Sequence, residues 1–144
     1  LVKSNNKTIQ SYSDLVGKKV ATQAGSTGPT ILAQYAPKAV VQEFQTHQEA
    51  LDALRQGRVD AYVTDYTLLL NTLSLGGGSA RIAGAPFGAQ DFYGIGLPKG
   101  SDGAAFINTL LKKLEADGTW AKLWNISIGQ RTGSTVTPTP PALP

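Results

Sequence analysis

Short apolar runs that read as strands alternate with helix-like stretches through the first half of the chain. "KKVATQ" (18–23) has the apolar and β-branched content of a short strand, and "AVVQEF" (39–44) and "VDAYVTD" (59–65) repeat that content. Between the first two, "TILAQYA" (30–36) predicts a helix that Pro37 ends. "THQEALDALRQG" (46–57) predicts a second helix, with the clearest local signal in the sequence. Thr46 and Glu49 stand at capping-box spacing, Ala50, Leu51 and Leu54 make one apolar face, and Gly57 supplies the stop. The apolar stretch "YTLLLNTLSL" (66–75) predicts a third helix, broken by Gly76-Gly77-Gly78.

The second half is less regular. "ARIAGAPF" (80–87) and "YGIGLPKG" (93–100) read as strand and strand edge. Residues 102–124 predict a helix, a break at Asp117-Gly118 and a second short helix. From Gly129 onward the sequence is rich in Thr, Pro and Gly, which predicts a disordered or polyproline-like tail over 129–144. Strand–helix alternation over 18–75 predicts an α/β fold with a mainly parallel sheet and right-handed crossovers. In such sheets ligands bind beyond the carboxyl ends of the strands. Two polar stretches fall there: Gly25-Ser26-Thr27 after the first of these strands, and Thr64-Asp65 after the third.

Composition narrows the chemistry. The 144 residues suit one domain, and 41% apolar content is enough for a core. Thirteen basic and 10 acidic residues leave a formal charge of +3, and no Lys/Arg run exceeds two, so nucleic acid is not an expected partner. With no Cys and a single His, thiol nucleophiles, disulfides, Cys-based zinc sites and His-rich metal clusters are excluded, and no metal or other cofactor is expected. No apolar run approaches the roughly 20 residues that span a bilayer. The chain opens on "LVKSNN", without an initiator Met and in mid-pattern, which reads as a mature or excised piece of something longer.

Each candidate residue has a plain structural alternative. Gly25 to Gly28 lie at a helix start, where free backbone N–H groups and the positive end of the helix dipole favour an anion. Ser26 and Thr27 add hydroxyls there, Gly25 and Gly28 allow close approach, and Pro29 suits the first helical position. On the motif alone, a capped turn explains the same residues. Asp65 is either the N-cap of the helix at 66–75 or a carboxylate facing a ligand cation. Gln23 is either a solvated strand end or a ligand donor. Thr46 is first a cap. His47 reads as exposed in the first helical turn, without a triad-like partner. Asp60 reads as scaffold beside Arg58. Trp120 and Trp124 read as packing residues, and Tyr66 and Tyr93 as core or rim.

Several stretches together resemble one family. "IQSYSDLVGKKVATQAGST", "VVQEFQTHQEALDALRQGRVDAYVTD" and "YGIGLPKGSDGAAFINTLLKKLEADGTWAKLW" are similar to the amino-acid-binding proteins of ABC importers. These are the family-3, type-2 periplasmic solute-binding proteins. The likeness spans roughly residues 1 to 125 and rests on five features in order: D-L-x-G-K before a strand, G-S-T after it, a-L-x-x-G-R-v-D-A, an Asp ending that strand, and Y-G-I-x-x-P-K-G-S-D with a later D-G-T. "LVKSNNK" and "YGIGLPKGSD" resemble glutamine binders. The G-S-T triplet resembles glutamate binders and the ligand cores of ionotropic glutamate receptors.

The resemblance implies that Ser26 and Thr27 receive a ligand carboxylate or side-chain group, with Gly25 shaping the turn. It implies that Asp65 takes the ligand α-ammonium and that Gln23 contacts the ligand side chain. It also implies an architecture: a three-layer α/β lobe of the type-2 periplasmic-binding-protein kind, incomplete against the two-lobed fold of the family. Residues 1–92 then correspond to the second lobe, 93–128 to the hinge return strand and C-terminal helices of the first, and 129–144 to the tail. The rest of the first lobe, which in the family carries an Arg for the α-carboxylate, is expected as a missing partner, and weak amino-acid binding is expected for 1–144 alone. The helix at 102–124 is expected to fold on its own lobe, to self-associate or to stay partly loose. The implied function is extracytoplasmic capture of a polar amino acid, glutamate or glutamine in kind, for an ABC permease in bacteria, with no catalytic residue. A lipoprotein anchor or the transporter itself would hold it at the membrane. A dehydratase-type enzyme on the same scaffold and a receptor's sensing domain are the alternatives.

Overall fold

The computed structural model describes residues 1–76, 78–89 and 93–134. The chain divides into two compact units, Leu1–Ala89 and Gln90–Pro144.

The first unit is built on a parallel ladder of β2 (Lys19–Gln23), β3 (Val40–Phe44) and β4 (Ala61–Tyr62), in the order β3-β2-β4. Val20 stands opposite Ala61 and Ala21 opposite Tyr62. A second, antiparallel ladder pairs β1 (Val2–Lys3) with β5 (Ala80–Arg81). Leu1 and Tyr62 exchange two backbone hydrogen bonds of 2.7 and 2.8 Å, which join the two ladders. Helix α1 (Gly28–Tyr35) follows β2, α2 (His47–Gln56) follows β3, and α3 (Tyr66–Gly76) follows β4.

Successive strand residues point to opposite faces of a sheet, and here each face has its own core. Val20 and Ala61 pack with Leu32 and Ala36 of the α1 side, and with Val2, Ile9 and Leu15. Ala21 and Tyr62 pack on the other face with Ala50, Leu51 and Leu54 of α2 and Leu69 of α3. This is the α/β arrangement with a mainly parallel sheet that the alternation predicts, in the three layers that the resemblance implies.

The boundaries differ where pairing decides them. β4 is short because only Val63 still donates across the ladder, to the Ala21 carbonyl at 3.0 Å, before the chain turns away. The strand expected over 80–87 is paired only at Ala80–Arg81. β1 gives no signal in the sequence, since two residues carry no alternation. Arg81 compensates for the brevity of β5: its guanidinium donates to the carbonyls of Asn6 and Ile9 at 2.8 Å and holds the loop after β1.

The second unit contains α4 (Gly103–Ala116), α5 (Thr119–Trp124), a wider turn at Asn125–Gly129 and a last short helix, α6 (Gln130–Thr132). The break expected at Asp117-Gly118 is present, with Gly118 at φ 78° and the Asp117 carboxylate accepting from the Thr119 amide at 2.9 Å. Residues 93–98 form no strand and are exposed. A strand needs a neighbour to take its backbone hydrogen bonds, and no described residue pairs with this stretch. Instead Tyr93, Ile95 and Leu97 line an apolar groove with Ala104, Ile107 and Leu111 of α4. Within the stretch expected as a tail from Gly129, the chain stays helical to Thr132, and Gly129 is buried, with the Asn125 side chain where a Cβ would sit. The rest of that stretch, 135–144, lies outside the described residues.

Candidate functional site

Three turns leave the parallel ladder at its carboxyl end, and each begins a helix. They hold residues 24–27 after β2, 45–46 after β3 and 63–65 after β4. Because β2 is the central strand, the first turn is flanked by the other two.

The turn after β2 is shaped by glycine. Gly25 sits at φ 72°, where a Cβ would be strained, and the space beside it is open. The Ser26 hydroxyl donates to the Gln23 carbonyl at 2.7 Å and accepts from the Gly28 amide at 3.2 Å. Thr27 is the N-cap residue of α1, with no side-chain cap bond to the helix, and its carbonyl accepts from the Ile31 amide at 3.0 Å. The helix begins at Gly28, so Pro29 takes the second helical position, where the missing N–H still costs nothing. No acidic residue occupies this first turn.

The turn after β3 is closed by its own side chains. The Thr46 hydroxyl accepts from the Glu49 amide at 3.2 Å, and the Glu49 carboxylate accepts from the amides of Gln45 and Thr46 at 3.1 and 3.2 Å. The negative charge of Glu49 thus offsets the dipole of α2 from within. Thr46 is a capping residue, as its spacing predicts. Gln23 reaches toward this turn, its amide donating to the Gln45 carbonyl at 3.4 Å.

The turn after β4 carries Asp65. Its carbonyl accepts from the Leu69 amide at 3.1 Å and so starts α3, while its side chain is exposed. The carboxylate is within electrostatic reach of Tyr62: burial pushes the Tyr62 phenol up, a hydrogen bond from Thr64 opposes this, and the Asp65 charge adds to it. The Gly25–Thr27 turn and Asp65 therefore leave adjacent strands at the same end.

His47 departs from the sequence reading. It is half-buried, not exposed. Its Nδ1 lies 2.9 Å from the Tyr62 hydroxyl and its Nε2 3.1 Å from the Thr72 hydroxyl. Burial, with Arg55 adding to it, holds the imidazole below its ordinary value. Nothing local in the sequence signals this, because the partners lie 15 and 25 residues away. Asp60 acts as scaffold, accepting from the Lys19 amide at 2.8 Å. Among the described residues no group of acidic and His side chains is placed to hold a metal ion, and no helix is long and apolar enough to cross a membrane.

No family model matches the chain. It is 33% identical over 137 residues to the glutamate-binding protein GluB of Corynebacterium glutamicum, covering 90% of this chain and 46% of that protein. It is 36% identical over 126 residues to the ABC transporter glutamine-binding protein GlnH of Bacillus subtilis, covering 86% of this chain and 45% of that one. The chain thus spans about half the length of the curated relatives it matches. Among solved structures, it is similar to an ancestral arginine-binding protein bound to glutamine, with a TM-score of 0.73 and 35% identity over 89% of this chain and 57% of that one. It is also similar to domain 2 of the arginine-binding protein TmArgBP, with a TM-score of 0.54 and 28% identity over 61% of this chain and 95% of that domain.

Proposed function

The chain is related in sequence, across about half of their length, to the amino-acid-binding proteins of ABC importers, and from that premise we propose that it supplies one jaw of a clamp for a polar amino acid. The ligand class is glutamate or glutamine, captured outside the cytoplasm for delivery to an ABC permease. The observation that carries this reading is the pairing of opposite electrostatic features on adjacent strands. The first turn of α1 carries no acidic side chain to offset its positive end, whereas Asp65 brings a carboxylate at the same end of the neighbouring strand. A free amino acid carries the complementary pair of charges. Ser26 and Thr27 receive a carboxylate or side-chain group, Gly25 lets it approach the backbone, Asp65 takes the α-ammonium, and Gln23 hydrogen-bonds the ligand side chain.

The other jaw belongs to a first lobe of the same protein. Hinge closure, a motion known for periplasmic binding proteins, would then bury the ligand. The apolar side chains that the second unit leaves exposed, Phe106, Leu110, Leu123 and Ile126, are offered to that lobe or to a second copy.

No bond chemistry is assigned. A general acid or base needs a tuned, accessible group, and the one imidazole has both ring nitrogens engaged in the interior. Nothing favours the dehydratase alternative.

Asp65→Asn tests the reading in the protein at its full natural length. Calorimetric titration with L-glutamate and L-glutamine should show affinity for at least one of them in the wild type. The variant should lose about thirty-fold or more, the effect of truncating one partner of a buried charge pair worth about 2 kcal/mol or more. Unchanged affinity in a folded variant would remove Asp65 from the site.

A further inference from the structure

We propose that the outer edge of β3 is a strand-pairing surface for a second copy of this chain. The two β3 strands join antiparallel about a two-fold axis at Gln42, with each Val41 opposite the partner's Glu43. The pairing needs no ligand and does not depend on the role of Asp65.

β3 is the last strand on its side of the ladder, β3-β2-β4. A residue in a parallel strand directs its N–H and C=O to one side, and the next residue directs both to the other. The Val40 amide donates inward to the Lys18 carbonyl at 2.8 Å, and the Phe44 carbonyl accepts inward from the Ala24 amide at 2.8 Å. Val41 and Glu43 therefore turn both backbone groups outward, where no described strand pairs with them. A row of such groups is a template for another strand. Its side chains are open as well: Val40 is 50% exposed and Val41 38%. Val16 is exposed near the start of the strand, where the Gly17 amide donates to the Lys38 carbonyl.

One register of self-pairing satisfies this edge. Outward residues face outward residues only if the axis stands at Val41, Gln42 or Glu43. At Val41 it sets Glu43 opposite the partner's Ala39, whose amide is already committed to the Ala36 carbonyl at 2.9 Å, so the Glu43 carbonyl stays unpaired. At Glu43 it sets like charges opposite each other. It also sets Val41 opposite the partner's Gln45, whose amide is committed to the Glu49 carboxylate at 3.1 Å, so the Val41 carbonyl stays unpaired. At Gln42, Val41 and Glu43 of each copy exchange both bonds with the partner, and every outward donor finds an acceptor. Val40 then stands across from the partner's Phe44, on the sheet face where Phe44 meets the core, a β-branched–aromatic pair made twice. Antiparallel pairing also points the carboxyl ends of the two ladders in opposite directions, so the candidate sites of the two copies open away from each other.

Sedimentation of residues 1–144 should rise from the 15.1 kDa monomer toward twice that mass between about 0.02 and 1 mM, the range of a small, transient interface. Nuclear magnetic resonance separates this edge from association through the exposed helices of the second unit. Over the same range the amides of Val41 and Glu43 should gain protection from solvent exchange, while those of Val40 and Gln42, already bonded inward, keep theirs. Val41→Pro removes an outward donor and no inward bond, and should abolish the dimer in a folded chain. Val41→Lys faces the partner's Glu43 twice and should tighten the dimer about five-fold. With the axis at Val41 instead, the same change sets lysines together and loosens it. A chain that stays monomeric at the top of that range, a dimer whose 41 and 43 amides stay unprotected, or a folded Val41→Pro variant that still dimerises would overturn the proposal. So would a looser Val41→Lys dimer, or protection of both amides in a monomer, which would give the edge to another part of the protein.

Discussion

Gly28 is the point at which the first turn of α1 meets the interior. A Cβ built there collides with the Thr22 side chain, which is only 1% exposed and has no room to move away. Gly25, three residues earlier, presents the opposite case: its cost is conformational, and nothing lies within 4 Å of the added carbon. The two glycines therefore respond differently to the same substitution. Gly28→Ala should lower stability by about 1–3 kcal/mol through overpacking, and Thr22→Ala in the same chain should recover part of it. Gly25→Ala should cost about 1 kcal/mol whether or not Thr22 is changed. Urea unfolding of the four variants checks this; equal recovery of both glycine variants by Thr22→Ala would show that the collision is not the cause. The candidate positions divide in the same way between local and distant causes. The placement of Gly25, Ser26 and Asp65 in turns between a strand and a helix was legible because a strand end running into a helix start is a local pattern. His47 was not, because its burial depends on Tyr62 and Thr72, which reach it only through tertiary packing.

The helices were easier to read than the strands. Helix α2 shows why: every signal that defines it lies within its own twelve-residue stretch, from Thr46 with Glu49 at one end to Gly57 at φ 76° at the other. Its apolar face, Ala50, Leu51, Ala53 and Leu54, is buried as the spacing predicts. Thr46→Ala removes the cap without touching that face and should cost about 1 kcal/mol, read as a lower midpoint in thermal unfolding with the circular-dichroism signature of the fold retained. No measurable loss would mean that Glu49 alone satisfies the turn. Strands lack this independence, since a partner elsewhere in the chain decides whether a β-rich stretch is paired. "VDAYVTD" became a two-residue strand, "ARIAGAPF" is paired only at its start, and "LVKSNN" hid a strand that exists because Ala80–Arg81 lies beside it. "YGIGLPKG" has the composition of a strand edge but no described residue to pair with, and it lies against α4 instead.

Among the described residues, the buried apolar side chains all fall between Leu1 and Leu69, within the first unit. Helices α4 and α5 bury none of their residues, and Phe106 is 71% exposed. Stability should therefore reside in residues 1–89. Two clusters cover the faces of the sheet there, and the Arg81 side chain ties the loop after β1 to β5 without help from later residues. A chain of this length buries enough surface to fold alone without disulfides. Residues 1–89 produced alone should unfold in one cooperative thermal transition, with an enthalpy of about 60 kcal/mol at the midpoint from the per-residue average. The amides of β2 should exchange with solvent at a rate set by that global opening, and those of α4 in the 144-residue chain should exchange far faster. A broad, non-cooperative melt of the fragment would mean that the second unit contributes to the core, and slow exchange throughout α4 would mean the same from the other side.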